Sequence, residues 1–143
     1  MNFGLIFPLC DYPKVEKAWG TEYILVNNKE YCAKVLRLHP DCSSSYHYHR
    51  EKHETFIILS GTLWIEAERK KRKVTVGDKI TLAPKTRHRF FGAQDFTDAY
   101  ILEVSTHHSD ADVVRLSKSK GTSKVFVDNT EPFVPSSVRM VGV

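Results

Sequence analysis

A chain of 143 residues, 41% hydrophobic and 27% charged, is long enough for one domain that buries roughly two thirds of its unfolded surface. No run approaches the roughly 18 apolar residues that span a bilayer, which excludes a helical membrane protein. The net charge of +4 invites a polyanion as partner, but Arg69, Lys70, Lys71, Arg72 and Lys73 are consecutive, and without them the chain is near neutral.

Residues 1–10 are apolar but lack a basic start and carry Pro8, so they do not read as a signal peptide. The segments that follow are short, rich in β-branched and aromatic residues, and separated by turn residues, which predicts strands. In chain order these are 22–26, 31–38, 45–49, 55–59, 62–67, 73–76, 79–82, 88–91 and 99–105. Asn27-Asn28, Pro40-Asp41, Ser60-Gly61, Gly77-Asp78 and Pro84 punctuate them. So many short strands pack economically as a two-sheet sandwich or a closed barrel. Gly61 supplies the positive φ of a tight hairpin. The basic run falls between strands 62–67 and 73–76 and reads as a solvated hairpin tip. No aromatic residue interrupts it, so it lacks the stacking platform of single-strand binders, and no nucleic-acid partner is expected. After Thr106 the chain turns polar, with a further strand at 124–127 and a weakly ordered tail. Cys10, Cys32 and Cys42 are odd in number and show no paired spacing, which fits reduced thiols in a cytoplasmic protein.

Four of the seven histidines lie between positions 39 and 53. On a strand, His47 and His49 leave the same face, where they can hold a metal ion. Glu54 shares its parity with Phe56 and Ile58, which want a core, and a carboxylate buried there needs a cation or hydrogen-bonding partners. His88 opens a later strand with Phe90 on the same side. Three histidines and one carboxylate suit Zn, Mn, Fe, Ni or Cu rather than Ca.

The spacing His47-x-His49, four residues, Glu54, six residues, Gly61 resembles the first motif of the cupin superfamily. Gly77 and His88 hold the spacing of the second motif. There Ala83, Lys85 and Gly92 stand where the family has Pro, Gly and Asn, and Asp41 replaces the glycine that opens the first motif. The resemblance covers roughly residues 15–117. The flank Lys17-Ala18-Trp19-Gly20-Thr21-Glu22-Tyr23 and the stretch 101–107, with Glu103-Val104, are similar to small cupins related to type II mannose-6-phosphate isomerases. The resemblance implies an all-β protein, a cupin-type double-stranded β-helix (jelly-roll) barrel. Residues 1–128 would form the domain, with an N-terminal strand extension, and residues 129–143 a tail. It further implies one divalent transition metal ion (Zn, Mn, Fe or Ni) held by His47, His49, Glu54 and His88, and a homodimer.

The corresponding activity is aldose–ketose isomerisation or epimerisation of a sugar or sugar phosphate, a proton transfer beside a polarised carbonyl. It needs a base, for which Glu54 and Glu103 are the candidates. The parity of Glu103 is ambiguous, because Leu102 and Val104 equally want a core. A substrate phosphate needs a cation. Lys34, Arg37, Lys85 and Arg89 are candidates, and Lys85 and Arg89 are favoured because they flank His88. His39 and His53 could substitute as ligands. His107 and His108 read as a surface pair, and Tyr46 and Tyr48, alternating with the ligands, as facing away from the metal. Trp19 and Gly20 read as an N-terminal anchor rather than a sugar-binding rim, and Trp64 as a surface residue. The same ligand set also serves dioxygenases, and a non-catalytic carbohydrate-binding barrel is the third alternative.

Overall fold

A computed structural model describes residues 9–121, in which eleven strands form two antiparallel sheets. The strands are β1 (Lys14–Lys17), β2 (Gly20–Asn27), β3 (Cys32–Leu38), β4 (His47–His49), β5 (Glu54–Ser60), β6 (Thr62–Ala67), β7 (Lys70–Thr75), β8 (Lys79–Leu82), β9 (His88–Gly92), β10 (Ala99–Ser105) and β11 (Val113–Arg115). One sheet runs β1-β2-β3-β10-β5-β8, the other β11-β4-β9-β6-β7. No helix of the described residues is long and apolar enough to cross a membrane.

The strands exist because their residues alternate. In β5, Glu54, Phe56 and Ile58 are buried while Thr55 and Ile57 are not, and in β10 the buried set is Ala99, Ile101, Glu103 and Ser105. Register then sorts the interior into layers. Leu36, Ile101 and Ile58 form one row across β3, β10 and β5, and Lys34, Glu103 and Phe56 the next. Cys32, Ser105, Glu54 and Leu82 form the row beyond, which reaches β8. The apolar layers join Leu63, Ile65, Val74 and Phe90 of the facing sheet in one hydrophobic cluster. The layers that hold Lys34, Glu103 and Glu54 make the other end of the interior polar. Trp19 is part of the apolar cluster, 4% exposed, and its carbonyl accepts the N–H of His39 at 2.9 Å. It anchors the N-terminal segment.

Several local expectations are corrected. Residues 70–73 are not a hairpin tip; they are the body of β7, paired in register with β6 from Ala67↔Lys70 onward. The turn is the two residues Glu68 and Arg69, both in the left-handed region, as a two-residue hairpin requires. Strand β7 edges its sheet, and lysines on an edge discourage pairing with another chain. The strand predicted at 45–49 begins only at His47, because Ser43, Ser44 and Ser45 are buried in irregular backbone. Strand β1 supplies an N-terminal strand before β2, whereas β11 was not anticipated, since it has no apolar alternation. The predicted strand at 124–127 and the tail 129–143 lie outside the described residues.

Gly61 has φ +83°, and a Cβ there would stand 2.8 Å from the Asp98 carbonyl oxygen, so the Ser60-Gly61 hairpin needs glycine. Two other positions keep a left-handed backbone without it. Asp41 has φ 61° and Lys85 φ 73°, and these are the positions where the cupin pattern places glycine. The turns survive the substitutions at the expense of strain, about 1–2 kcal/mol for an ordinary side chain. Lys85→Gly is therefore expected to stabilise the protein by about 0.5–1 kcal/mol after the greater entropy of unfolded glycine is subtracted. The urea midpoint should rise at unchanged slope; a fall would mean that contacts of the lysine outweigh its backbone strain.

Candidate metal centre

The alternation within β4 and the pairing His47↔His88 between β4 and β9 bring three imidazoles together inside the barrel. Ring centroids are 4.6 Å apart for His47 and His88, 5.2 Å for His47 and His49, and 5.9 Å for His49 and His88. One nitrogen of each can be chosen so that all lie within 4.8 Å of one another. Glu54 at the start of β5 closes the group, its Oε2 3.3 Å from Nε2 of His88 and 3.5 Å from Nε2 of His49. All four residues are about 1–2% exposed.

The backbone sets the tautomers. Nδ1 of His47 lies 2.9 Å from the Ser45 carbonyl, and Nδ1 of His88 lies 2.8 Å from the Thr86 carbonyl. A carbonyl only accepts, so both Nδ1 atoms carry the proton and both Nε2 lone pairs face the cluster. Nε2 of His88 is buried and makes no aligned hydrogen bond despite its nearness to Glu54. Converging nitrogen lone pairs beside a buried carboxylate fit a divalent transition metal, which His47, His49 and His88 would hold with Glu54 next to them. Behind His49, Asp112 brings Oδ2 to 3.8 Å from Nδ1. The same carboxylate accepts the N–H groups of Glu51 and Lys52 at 2.8 and 3.1 Å.

Beside this cluster lies a second one, which sequence reasoning missed. Lys52 is 1% exposed. Its ammonium donates to Oε2 of Glu103 at 2.5 Å and to Nδ1 of His108 at 3.0 Å, and stands 3.5 Å from Oε1 of Glu54. His108 therefore accepts through Nδ1 and donates from Nε2 to Asp110, at 3.1 Å. The parity of Glu103 is resolved: it is fully buried, and Val104 is 43% exposed. Across the register from Glu103, Lys34 of β3 pairs with Glu22 at 3.4 Å, both buried. Burial pushes the Cys32 thiol pKa upward, and the neighbouring Glu103 adds to the effect. The only sequence sign of Lys52 is its parity with Glu54, two residues on, in a connection where strand periodicity gives no warrant.

Other candidates fall elsewhere. Arg89 follows inward-facing His88 and so points outward, where it pairs with Glu66 at 3.2 Å. It is not at the metal cluster. Lys85 is exposed; its N–H holds the His49 carbonyl at 2.7 Å, but its side chain lines an outer hollow with Tyr48 and Arg87. Arg37 and His39 both clasp Asp98, at 2.7 and 2.9 Å. Burial alone would raise the Asp98 carboxyl pKa, but hydrogen bonds from His39 and Arg37 outweigh it and hold the group below the usual carboxylate range. His53 is exposed and ties its N–H to Thr106. His107 is exposed as expected, whereas His108 is buried, contrary to the surface reading. The cations near the polar end are instead Lys29 and Arg50, which line a hollow of about 600 Å³ with Lys52, His107 and the acids Glu30, Glu51 and Asp112.

The profile of the cupin domain family matches residues 34–105, a span containing His47, His49, Glu54, His88 and Glu103. In structure the chain is similar to KdgF from Halomonas sp., with 14% identity, 71% of this chain and 92% of that chain covered, and a TM-score of 0.64. It is similar also to a conserved protein with a double-stranded β-helix domain from Klebsiella pneumoniae, with 15% identity, coverages of 78% and 96%, and a TM-score of 0.65. Oxalate decarboxylase from Bacillus subtilis matches at 18% identity and a TM-score of 0.65, covering 77% of this chain but 31% of that one. At such identities the likeness is one of fold. No curated protein matches the chain in sequence.

Proposed function

The chain belongs to the cupin domain family, and from there we propose that it is a metal-dependent isomerase or epimerase of sugars or sugar phosphates, of the mannose-6-phosphate isomerase type. The observation that carries this reading is the Glu103 carboxylate, buried inside the barrel on the Lys52 ammonium, which also faces Glu54. When bound at His47, His49, His88 and Glu54, a divalent ion supplies a Lewis acid that polarises a carbonyl and acidifies the adjacent C–H.

Proton transfer between C1 and C2 then needs a carboxylate that stays charged in a dry site. Lys52 pairs with Glu103 and fixes one of its oxygens. Glu103 takes the proton from one carbon and returns it to the other. Glu54, placed among the imidazoles, is the ligand rather than the base. The buried polar groups of Glu22, Lys34, Glu103 and Ser105 at this end of the interior suit hydroxyl groups and are a poor lining for an apolar substrate. Lys29 and Arg50 at the outer hollow supply positive charge for a phosphate. The transfer consumes no oxidant, so Zn, Mn, Fe or Ni can each serve.

The test is proton NMR of the metal-loaded protein in D₂O with mannose 6-phosphate, fructose 6-phosphate and related sugars. Deuterium should enter at C2 as aldose and ketose interconvert. Absence of exchange with every metal and substrate overturns the proposal, and oxygen uptake with Fe(II) transfers the site to dioxygenase chemistry.

A further inference from the structure

The basic run acquires aromatic neighbours only in three dimensions. Strand alternation sends Tyr48 of β4, Arg89 and Phe91 of β9, Trp64 and Glu66 of β6, and Lys71 of β7 to the outer face of the five-stranded sheet, the side away from the metal cluster. There the Lys71 ammonium lies 4.3 Å from the Phe91 ring centre and 5.6 Å from that of Trp64. The Arg89 guanidinium lies 4.8 Å from Phe91 and 5.3 Å from Tyr46. Phe91, flanked by both cations, holds them extended across the sheet. Trp64 remains 37% exposed. A hollow of about 550 Å³ beside it is lined by Lys71, Arg89, Lys118 and Lys120.

We infer that this outer face binds single-stranded nucleic acid, with phosphates along Lys71, Arg89, Lys118 and Lys120 and a base stacked on Trp64. Sheets that present aromatic side chains and cations together are built for unpaired bases, which offer a π-face that a duplex hides. Edge protection accounts for lysines on β7, but not for Arg89, Phe91 and Trp64 in the middle of the sheet. A second copy of the chain is the competing occupant. A two-fold interface would set this cationic face against itself, and the acids at hand are Glu66, already paired with Arg89, and Asp41 at the hollow's edge.

The experiment uses the full metal-loaded chain with a fluorescein-labelled short oligouridine, and the same strand in duplex form, followed by anisotropy and tryptophan emission. The single strand should bind with a dissociation constant of about 1–100 µM near physiological salt and a log–log salt slope of about −3, as four phosphate contacts imply. The chain has two tryptophans and Trp19 is buried, so quenching on binding reports stacking on Trp64. Trp64→Ala should weaken binding at least about fivefold and Lys71→Glu should flatten the salt slope, both at unchanged metal content. Equal affinity for the duplex, or no response to Trp64→Ala and no quenching, overturns the proposal by reducing the face to a nonspecific cationic surface. Absence of binding overturns it outright. A concentration-dependent dimer lost in Trp64→Ala, with no oligonucleotide binding, assigns the face to a second copy instead. None of these outcomes depends on sugar turnover.

Discussion

His88→Ala is expected to abolish stoichiometric metal binding, with affinity falling by more than about 100-fold. Loss of a partner behind a ligand already costs about 10–100-fold, and this substitution removes a ligand whose Nε2 the Thr86 carbonyl has oriented at 2.8 Å from Nδ1. His47 has the same support from Ser45, so His47→Ala should do the same. The effect should show a second time in stability. Metal that binds the folded chain stabilises it by about 2.7 kcal/mol at a hundredfold excess over the dissociation constant. Added metal should raise the melting temperature of the parent and leave the variants unmoved. Elemental analysis after dialysis, with thermal melts in metal and in chelator, makes the measurement. A variant that retains one equivalent of metal would remove His88 from the ligand set.

Lys52→Met is the second large effect. It leaves two buried carboxylates, Glu54 and Glu103, beside the place of their shared cation. Breaking a buried pair from one side costs about 3–5 kcal/mol, a large part of the 5–15 kcal/mol typical of a domain. Urea unfolding should show that loss, whereas Lys71→Met, which removes only an exposed cation–ring contact on the edge strand, should stay within about 1 kcal/mol. Lys52→Met with Glu103→Gln should recover part of the loss, because an amide carries no charge to strand. If the single variant unfolds outright, the double variant still reports the coupling. A loss below about 1 kcal/mol in Lys52→Met would mean that water reaches the pair.

The metal cluster was legible before any tertiary information. The spacing of His47 and His49 places them on one face, Phe56 and Ile58 draw Glu54 inward, and His88 shares its side with Phe90. Gly61 likewise announced its hairpin. Each inference follows from covalent geometry, because successive side chains on a strand alternate whatever the strand later packs against. Alternation also sends Arg89 away from the cluster once His88 points in. Nearness in sequence made Arg89 a candidate for the phosphate, and the period-2 rule overrules nearness.

Three features could not be placed from sequence. Glu103 lies between apolar neighbours of opposite parity, so only its register with Lys34 and Phe56 could turn it inward. Lys52 is in a connection, where no periodicity operates, and its burial comes from β10 and His108 closing over it. The basic run has no aromatic residue within it, and it meets Trp64 and Phe91 only because β6, β7 and β9 pair side by side. The sequence by itself determined the inward side of β4, β5 and β9, and with it the grouping of His47, His49, Glu54 and His88, together with the Ser60-Gly61 turn, since these are local consequences of chain geometry and side-chain polarity. Tertiary structure decided which distant faces meet: the carboxylate on its lysine inside the barrel, and the cations on their rings outside it. Those contacts depend on inter-strand register, a property of pairs of segments that no single segment encodes.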